Sequence, residues 1–164
     1  MNKNRYNKAY TLIEMLMVVV IIAVLLSIGY GEFNSAITRE TVKNSSLQLS
    51  FALRKARYYA KANGEPVKLV FPVDSKVYSL TTIDKTMTSS EYFDVSSGQL
   101  PNNTRIIDNN CPNASFYIDG SLVNLDEAGK PQPINYDCII TVGYTDGLSK
   151  DVTIKTASGN ILDD

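Results

Sequence analysis

Residues 9–28 read AYTLIEMLMVVVIIAVLLSI, and this stretch decides how the rest of the chain is interpreted. Between residues 12 and 28 every side chain is apolar except Glu14 and Ser27. An α-helix rises about 1.5 Å per residue, so roughly 20 apolar residues cross a bilayer. A carboxylate inside such a segment costs on the order of 2.5–3.5 kcal/mol to insert, and it usually marks a functional residue. The stretch therefore predicts a membrane-inserting helix in which Glu14 has a specific role. The alternative for Glu14 is a simple position at the headgroup boundary.

The residues before the apolar run are polar and basic. Lys3, Arg5 and Lys8 lie there without an acidic residue, which predicts a cytoplasmic amino terminus and an extracytoplasmic body. A cleaved signal peptide is the alternative, with Ser27-Ile28-Gly29 as its processing site. The length of the apolar run and the presence of Glu14 count against that alternative.

Beyond the apolar run, helical spacing continues to the first strong stop signal. Apolar and small residues recur every three or four positions at Phe33, Ile37, Thr41, Ser45, Leu49, Ala52, Leu53, Ala56, Tyr59 and Ala60. Asn63-Gly64 is typical of a helix carboxyl end. One helix is predicted from about residue 10 to residue 62, apolar all round at first and amphipathic later. A basic cluster on it, Arg54, Lys55, Arg57 and Lys61, is interpreted as a solvated face in preference to a binding surface.

The remainder of the chain has the alternation of short β-strands. Residues 67–71 and 77–81 predict a hairpin, and further strands are predicted at 105–108, 116–118, 138–142 and 152–156. Asp119-Gly120 and Asp146-Gly147 predict turns. Residues 82–103 are predicted to be mostly loop, and residues 126–133 are predicted to be a loop. A long helix followed by antiparallel strands makes the fold class α+β, with the helix stripe packed on the sheet.

The residues Ala9-Tyr10-Thr11-Leu12-Ile13-Glu14 resemble the processing motif of type IV pilins and type II secretion pseudopilins. The resemblance implies that prepilin peptidase cuts between Ala9 and Tyr10, and that Tyr10 becomes the N-methylated mature terminus. It also implies that Glu14 is the family carboxylate, which neutralises the terminal amine of a neighbouring subunit. Ala9 departs from the glycine, and Tyr10 from the phenylalanine, that are usual in the family.

The segment from Leu53 through Gly64 into the first hairpin resembles the H-type minor pseudopilins and their pilus-side relatives of the GspH/FimT kind. The resemblance implies a pilin-like fold. Four regions are then expected: a leader peptide at 1–9, a transmembrane and filament-core helix at 10–30, an amphipathic helix half at 31–63, and a β-rich extracytoplasmic head at 64–164.

Two cysteines, Cys111 and Cys138, lie late in the chain. An even pair outside the cytoplasm predicts one disulfide, and two free buried thiols are the alternative. Two thiols alone cannot form a four-ligand zinc site. The chain has no histidine, the commonest general base near neutral pH. The sequence also lacks a nucleophile elbow, a phosphate loop and metal-ligand spacing, so neither catalysis nor a cofactor or metal is expected.

These features predict a minor pilin or pseudopilin, a non-enzymatic subunit anchored by one helix in the bacterial inner membrane before it enters a filament. Its expected partners are other pilins or pseudopilins, prepilin peptidase, the inner-membrane assembly platform and membrane lipid. A membrane-anchored binding module for DNA uptake or adhesion is the alternative, and a secreted hydrolase is a weaker one. Outside the first nine residues, 13 basic residues stand against 17 acidic ones, and the tail at 158–164 is acidic, which argues against nucleic acid.

Overall fold

The computed structural model describes residues 11–83, 92–101, 103–126, 130–144, 147–156 and 158–163. One helix, α1, covers Leu12–Asn63 and confirms the predicted long helix. The strands that follow are β1 Val67–Val70, β2 Val77–Ile83, β3 Tyr92–Gln99, β4 Arg105–Asn109, β5 Ala114–Phe116, β6 Leu122–Leu125, β7 Pro131–Pro133, β8 Cys138–Gly143, β9 Ser149–Ile154 and β10 Ile161–Asp163. The fold class is therefore α+β, as expected.

The chain divides into two compact units, Met1–Thr38 and Arg39–Asp164. We call the second unit the head unit. The expected division at residues 9, 30 and 63 into leader, membrane half, amphipathic half and head stays a prediction. Among the described residues, no helix is both long and apolar enough to cross a membrane.

In the head unit, α1 buries the stripe that its spacing predicted. Its buried residues are small or apolar and recur every three or four positions: Thr41, Val42, Ser45, Ser46, Leu49, Ser50, Ala52, Leu53, Ala56 and Ala60. Small residues let a helix approach a neighbouring sheet closely. Ser45 also contributes a buried hydrogen bond between its hydroxyl and that of Thr104, with the oxygens 2.8 Å apart. The stripe joins one hydrophobic cluster that includes Leu69 and Phe116 from one sheet and Ile140 from another.

The strands form two antiparallel sheets. The larger has the order β3-β2-β1-β5-β6-β7, and the smaller has the order β10-β9-β8-β4. The predicted hairpin is β1 paired with β2, in a register that places Val67 opposite Thr82 and Leu69 opposite Leu80. The predicted strands at 105–108 and 138–142 correspond to β4 and β8, which pair with each other.

Two segments that were predicted to be loop or mostly loop each contain a strand that their local pattern did not predict. Strand β3 lies within residues 82–103, and β7 lies within residues 126–133. In β3, Gly98 lies opposite Tyr78, and a Cβ on this glycine would overlap the Tyr78 ring. Glycine is disfavoured inside a strand, and the Tyr78 ring covers Gly98 in this pair of strands. Strand β7 carries two prolines at the edge of its sheet, where a missing N–H costs little.

The disulfide between Cys111 and Cys138 is present, with a Cα–Cα distance of 5.6 Å. Both residues are buried. They lie 27 positions apart, and closing a loop of this length in the unfolded chain is worth about 3–4 kcal/mol. The bond joins the segment after β4 to the first residue of β8, and so strengthens the pairing of those two strands.

Candidate functional site

The helix begins with a capping box formed by Thr11 and Glu14. The backbone N–H of Thr11 donates to Oε2 of Glu14 at 3.2 Å, and the backbone N–H of Glu14 donates to the hydroxyl of Thr11 at 3.3 Å. The Thr11 hydroxyl in turn donates to the same carboxylate oxygen at 3.3 Å. This reciprocal arrangement satisfies two backbone donors that a helix start leaves without partners. The pattern Thr-x-x-Glu before an apolar run is visible in the sequence, although the sequence-based interpretation gave Glu14 only an assembly role.

The helix that follows Glu14 is apolar and exposed on all sides. Large apolar side chains between residues 12 and 26 are all strongly exposed, from 49% at Ile22 to 84% at Leu12. Contiguous exposed apolar surface of this extent marks a site of contact with protein or lipid. A helix that is apolar all round is stable only when such surroundings cover it. Glu14 is the acidic residue of the first turn of this helix.

The predicted cleavage site lies outside the described residues, since these begin at Thr11. Cleavage between Ala9 and Tyr10, methylation of Tyr10 and the assembly role of Glu14 therefore stay predictions. Thr11 and Glu14 both follow the predicted cut, so a mature chain would keep its capping box.

Two residues of the basic cluster on α1, Arg54 and Arg57, bind the carboxyl-terminal segment, which the interpretation of the cluster as a solvated face did not predict. Arg57 is half-buried, and its guanidinium donates to three acceptors. Nε donates to the carbonyl oxygen of Gly120 at 3.1 Å, one terminal nitrogen to Oδ1 of Asn160 at 3.3 Å, and the other to the carbonyl oxygen of Ser158. Arg54 donates to the carbonyl oxygen of Ile161 at 3.3 Å. We call this arrangement the arginine latch, because it ties residues 158–161 to the helix.

Two glycines make room for the arginine latch. Gly120 has φ +81° and Gly159 has φ +62°, a backbone region that favours glycine. A Cβ on Gly159 would overlap the Gly120 carbonyl oxygen and lie 3.0 Å from Nε of Arg57. The predicted turn at Asp119-Gly120 is present, with the Gly120 N–H donating to Tyr117 O at 2.8 Å.

The carboxylate of that turn is already satisfied within the head unit. The hydroxyl and the backbone N–H of Ser121 donate to Asp119 at 2.6 Å and 2.8 Å, and these bonds lower the pKa of the Asp119 carboxyl. The positive charge of Lys61 adds a smaller lowering effect. The acidic loop residue Asp126 accepts from the Lys130 backbone N–H at 2.8 Å. In the described ranges, no three carboxylate or thiol groups lie close enough together to hold a metal ion.

The amino-terminal region matches a known family model. Residues 4–30 match the prokaryotic N-terminal methylation motif, a range that includes residues 4–9 of the predicted leader, the predicted cleavage site and the apolar run. No curated protein sequence matches the chain.

Solved structures resemble the chain over about three quarters of its length. The type IV minor pilin FimU of Pseudomonas aeruginosa PAO1 is similar with a TM-score of 0.56 and 12% identity, over 77% of this chain and 90% of FimU. The minor pseudopilin EpsH of the type II secretion system of Vibrio cholerae is similar with a TM-score of 0.54 and 11% identity, over 74% of this chain and 94% of EpsH. A second EpsH structure gives a TM-score of 0.54 and 9% identity, over 76% and 93%.

The fold and the motif agree with the resemblance that the sequence showed at Ala9 to Glu14. The chain carries a prokaryotic N-terminal methylation motif at residues 4–30 and has the pilin-like fold of a minor pilin and a minor pseudopilin.

Proposed function

We propose that this chain is a structural subunit, a minor pilin or pseudopilin, of a type IV pilus or a type II secretion pseudopilus. The observation that carries the proposal is the bare apolar helix that follows a capped carboxylate within a methylation motif. Such a helix needs lipid before assembly and other apolar helices after it. The pilin-like fold supports the same role. So does the disulfide, because such bonds persist mainly outside the cytoplasm.

The proposed role implies the following route of the subunit from the membrane to the filament. The chain is inserted once into the bacterial inner membrane, with its basic amino terminus in the cytoplasm and its head outside. Prepilin peptidase cuts between Ala9 and Tyr10, and the assembly platform then moves the helix from lipid into the filament. Neither cleavage nor transfer into the filament requires catalysis by the chain itself.

Glu14 selects the correct position in the filament. Cleavage leaves a positive amine on Tyr10, and packing among apolar helices would leave that charge without a partner. The Glu14 carboxylate of one subunit neutralises the Tyr10 amine of the next, an attraction much stronger in a low dielectric than at a surface. Before assembly, the Thr11–Glu14 capping box gives the same carboxylate its hydrogen bonds.

Two substitutions at Glu14 separate the effect of its negative charge on assembly from the effect of its helix-capping hydrogen bond. Glu14→Gln removes the charge but retains a capping-box acceptor, whereas Glu14→Ala removes both. We expect both variants to be strongly depleted from sheared filaments, by tenfold or more per mole of membrane-bound subunit. Thr11→Ser, which keeps a capping hydroxyl, is the matched control and should assemble like the parent. The measurement is quantitative immunoblotting of filament and membrane fractions, with mass spectrometry of the mature amino terminus.

Comparison of the two Glu14 variants distinguishes charge pairing in the filament from helix capping. If Glu14→Gln assembles like the parent while Glu14→Ala does not, Glu14 acts only as a helix cap and the charge-pairing account is wrong. A mature terminus other than a methylated Tyr10, such as one near residue 30, would refute the proposed processing and the filament role together.

A further inference from the structure

A small basic cavity lies beside the arginine latch on the head unit. It has a volume of about 220 Å³ and is lined by Arg54, Arg57, Tyr58 and Lys61. These residues occupy positions i, i+3, i+4 and i+7 of α1, so they share one face of the helix. We call this site the basic cavity.

Both guanidiniums of the basic cavity are held in place by neutral acceptors. Arg57 donates to two backbone carbonyls and one side-chain amide oxygen, and Arg54 donates to one backbone carbonyl. The ion pairs found among the described residues are Arg105–Asp74, Lys150–Asp163 and Lys155–Asp137, and none of these includes a residue of the basic cavity. Lys61 interacts electrostatically with the Asp119 carboxylate. The two guanidiniums form no ion pair among the described residues, so their charges are positioned in advance by neutral acceptors alone.

The guanidiniums also keep donors to spare. An arginine has five N–H donors in a planar fork that matches a carboxylate. The bonds of Arg57 occupy three of them and the bond of Arg54 occupies one. Because three bonds hold the half-buried Arg57, a ligand would lose less conformational entropy on binding to this guanidinium than to a flexible surface cation.

One aromatic side chain, Tyr58, lines the basic cavity, and another, Phe51, lies on the same helix. Tyr58 is 74% exposed, and Phe51, two turns earlier, is 67% exposed. Tyrosine, phenylalanine and arginine are enriched at protein–protein interfaces, where aromatic rings and guanidiniums supply most of the binding energy. Exposed aromatic rings beside pre-positioned cations are typical of a protein contact surface.

We propose that the basic cavity receives carboxylate side chains from an acidic surface of a neighbouring filament subunit. This inference rests on the proposed filament role and names the chemistry of one head contact within it. The exposed ring of Tyr58 beside these cations favours a protein partner, and the planar guanidinium fork matches the geometry of a carboxylate. Outside the first nine residues the chain is net acidic, which disfavours a long nucleic-acid backbone.

Crosslinking from Tyr58 in assembled filaments tests the contact directly. The full chain carries a photoreactive benzophenone amino acid in place of Tyr58, and intact cells are irradiated. We expect an adduct with another filament subunit, attached to a peptide that contains aspartate or glutamate. Lys61→Glu should lower the adduct yield per assembled subunit by about fivefold, because it replaces attraction by repulsion. Lys61→Gln should give an intermediate yield.

A matched charge reversal controls for general effects on the head. Lys130 is exposed in the connection between β6 and β7 and takes no part in the basic cavity. Lys130→Glu should therefore leave the adduct yield unchanged. Resistance of each variant head to added protease checks that the substitution leaves the fold intact.

Three results would overturn the inference while the filament role stands. These are parent filaments that contain the chain but give no protein adduct, an adduct insensitive to Lys61→Glu, and an adduct to nucleic acid. Absence of the parent chain from filaments is a different result, because it would refute the proposed function and this contact with it.

Discussion

Removal of the Arg57 side chain beyond Cβ is the sharpest test of how the head unit holds its carboxyl-terminal segment. In Arg57→Ala the helix loses three hydrogen bonds, to the carbonyl oxygens of Gly120 and Ser158 and to Oδ1 of Asn160. A hydrogen bond to a charged group contributes about 1.5–3 kcal/mol when both partners leave water. Because Arg57 is half-buried and the bonds share one side chain, we expect a loss of about 3 kcal/mol in the free energy of unfolding.

The loss should appear as a lower melting temperature and as local fraying. For a domain of this size, 1 kcal/mol shifts Tm by about 3–5 °C, so Arg57→Ala should melt about 10 °C below the parent. The measurement is thermal unfolding of the full chain in detergent micelles, followed by circular dichroism. Backbone amides of β10 should also exchange faster with solvent, because the latch holds the segment that leads into this strand.

Lys55→Ala is the matched control for Arg57→Ala. Lys55 lies two residues earlier on the same helix and is exposed, so its truncation should change stability by no more than about 0.5 kcal/mol. If Arg57→Ala and Lys55→Ala melt at the same temperature, the latch contributes nothing to stability and our reading of its hydrogen bonds is wrong.

Two further predictions concern a backbone position and an ion pair. Gly159→Ala should lower the free energy of unfolding by at least about 2 kcal/mol more than Gly64→Ala, as measured by thermal unfolding. Both glycines have a positive φ, but of these two only Gly159 would place its new methyl group against the Gly120 carbonyl oxygen. Equal losses in the two variants would contradict the proposed overlap. The Lys155 ammonium donates to Asp137 at 2.6 Å and lowers the pKa of the Asp137 carboxyl below its ordinary value of 3.8. A lowered folded-state pKa stabilises the protein above the ordinary pKa, and this contribution is lost as the pH falls through the folded value. Asp137→Asn should therefore melt below the parent at pH 6 and approach it at pH 3, and a constant difference in Tm would refute this account.

The sequence by itself determined the features that depend on neighbouring residues. Helical spacing predicted α1, and two strand-like runs at 67–71 and 77–81, joined by a short connection, predicted the β1–β2 hairpin. The resemblance of Ala9 to Glu14 to a processing motif is also local, because it rests on six consecutive residues, and these lie within the methylation motif matched at residues 4–30. Even the capping box could have been read from Thr11 and Glu14, since its partners lie three residues apart.

Only the tertiary structure decided the features that join distant parts of the chain. Strand β3 pairs with β2, and Tyr78 covers its Gly98, although the local pattern of residues 82–103 indicated mostly loop. The latch brings Arg57 to Ser158, 101 positions away, and turns a cation of the predicted solvated face into a structural anchor. Periodicity reports which face of an element is buried, whereas hydrogen bonds between distant residues depend on the packing of the whole core, which no local pattern encodes.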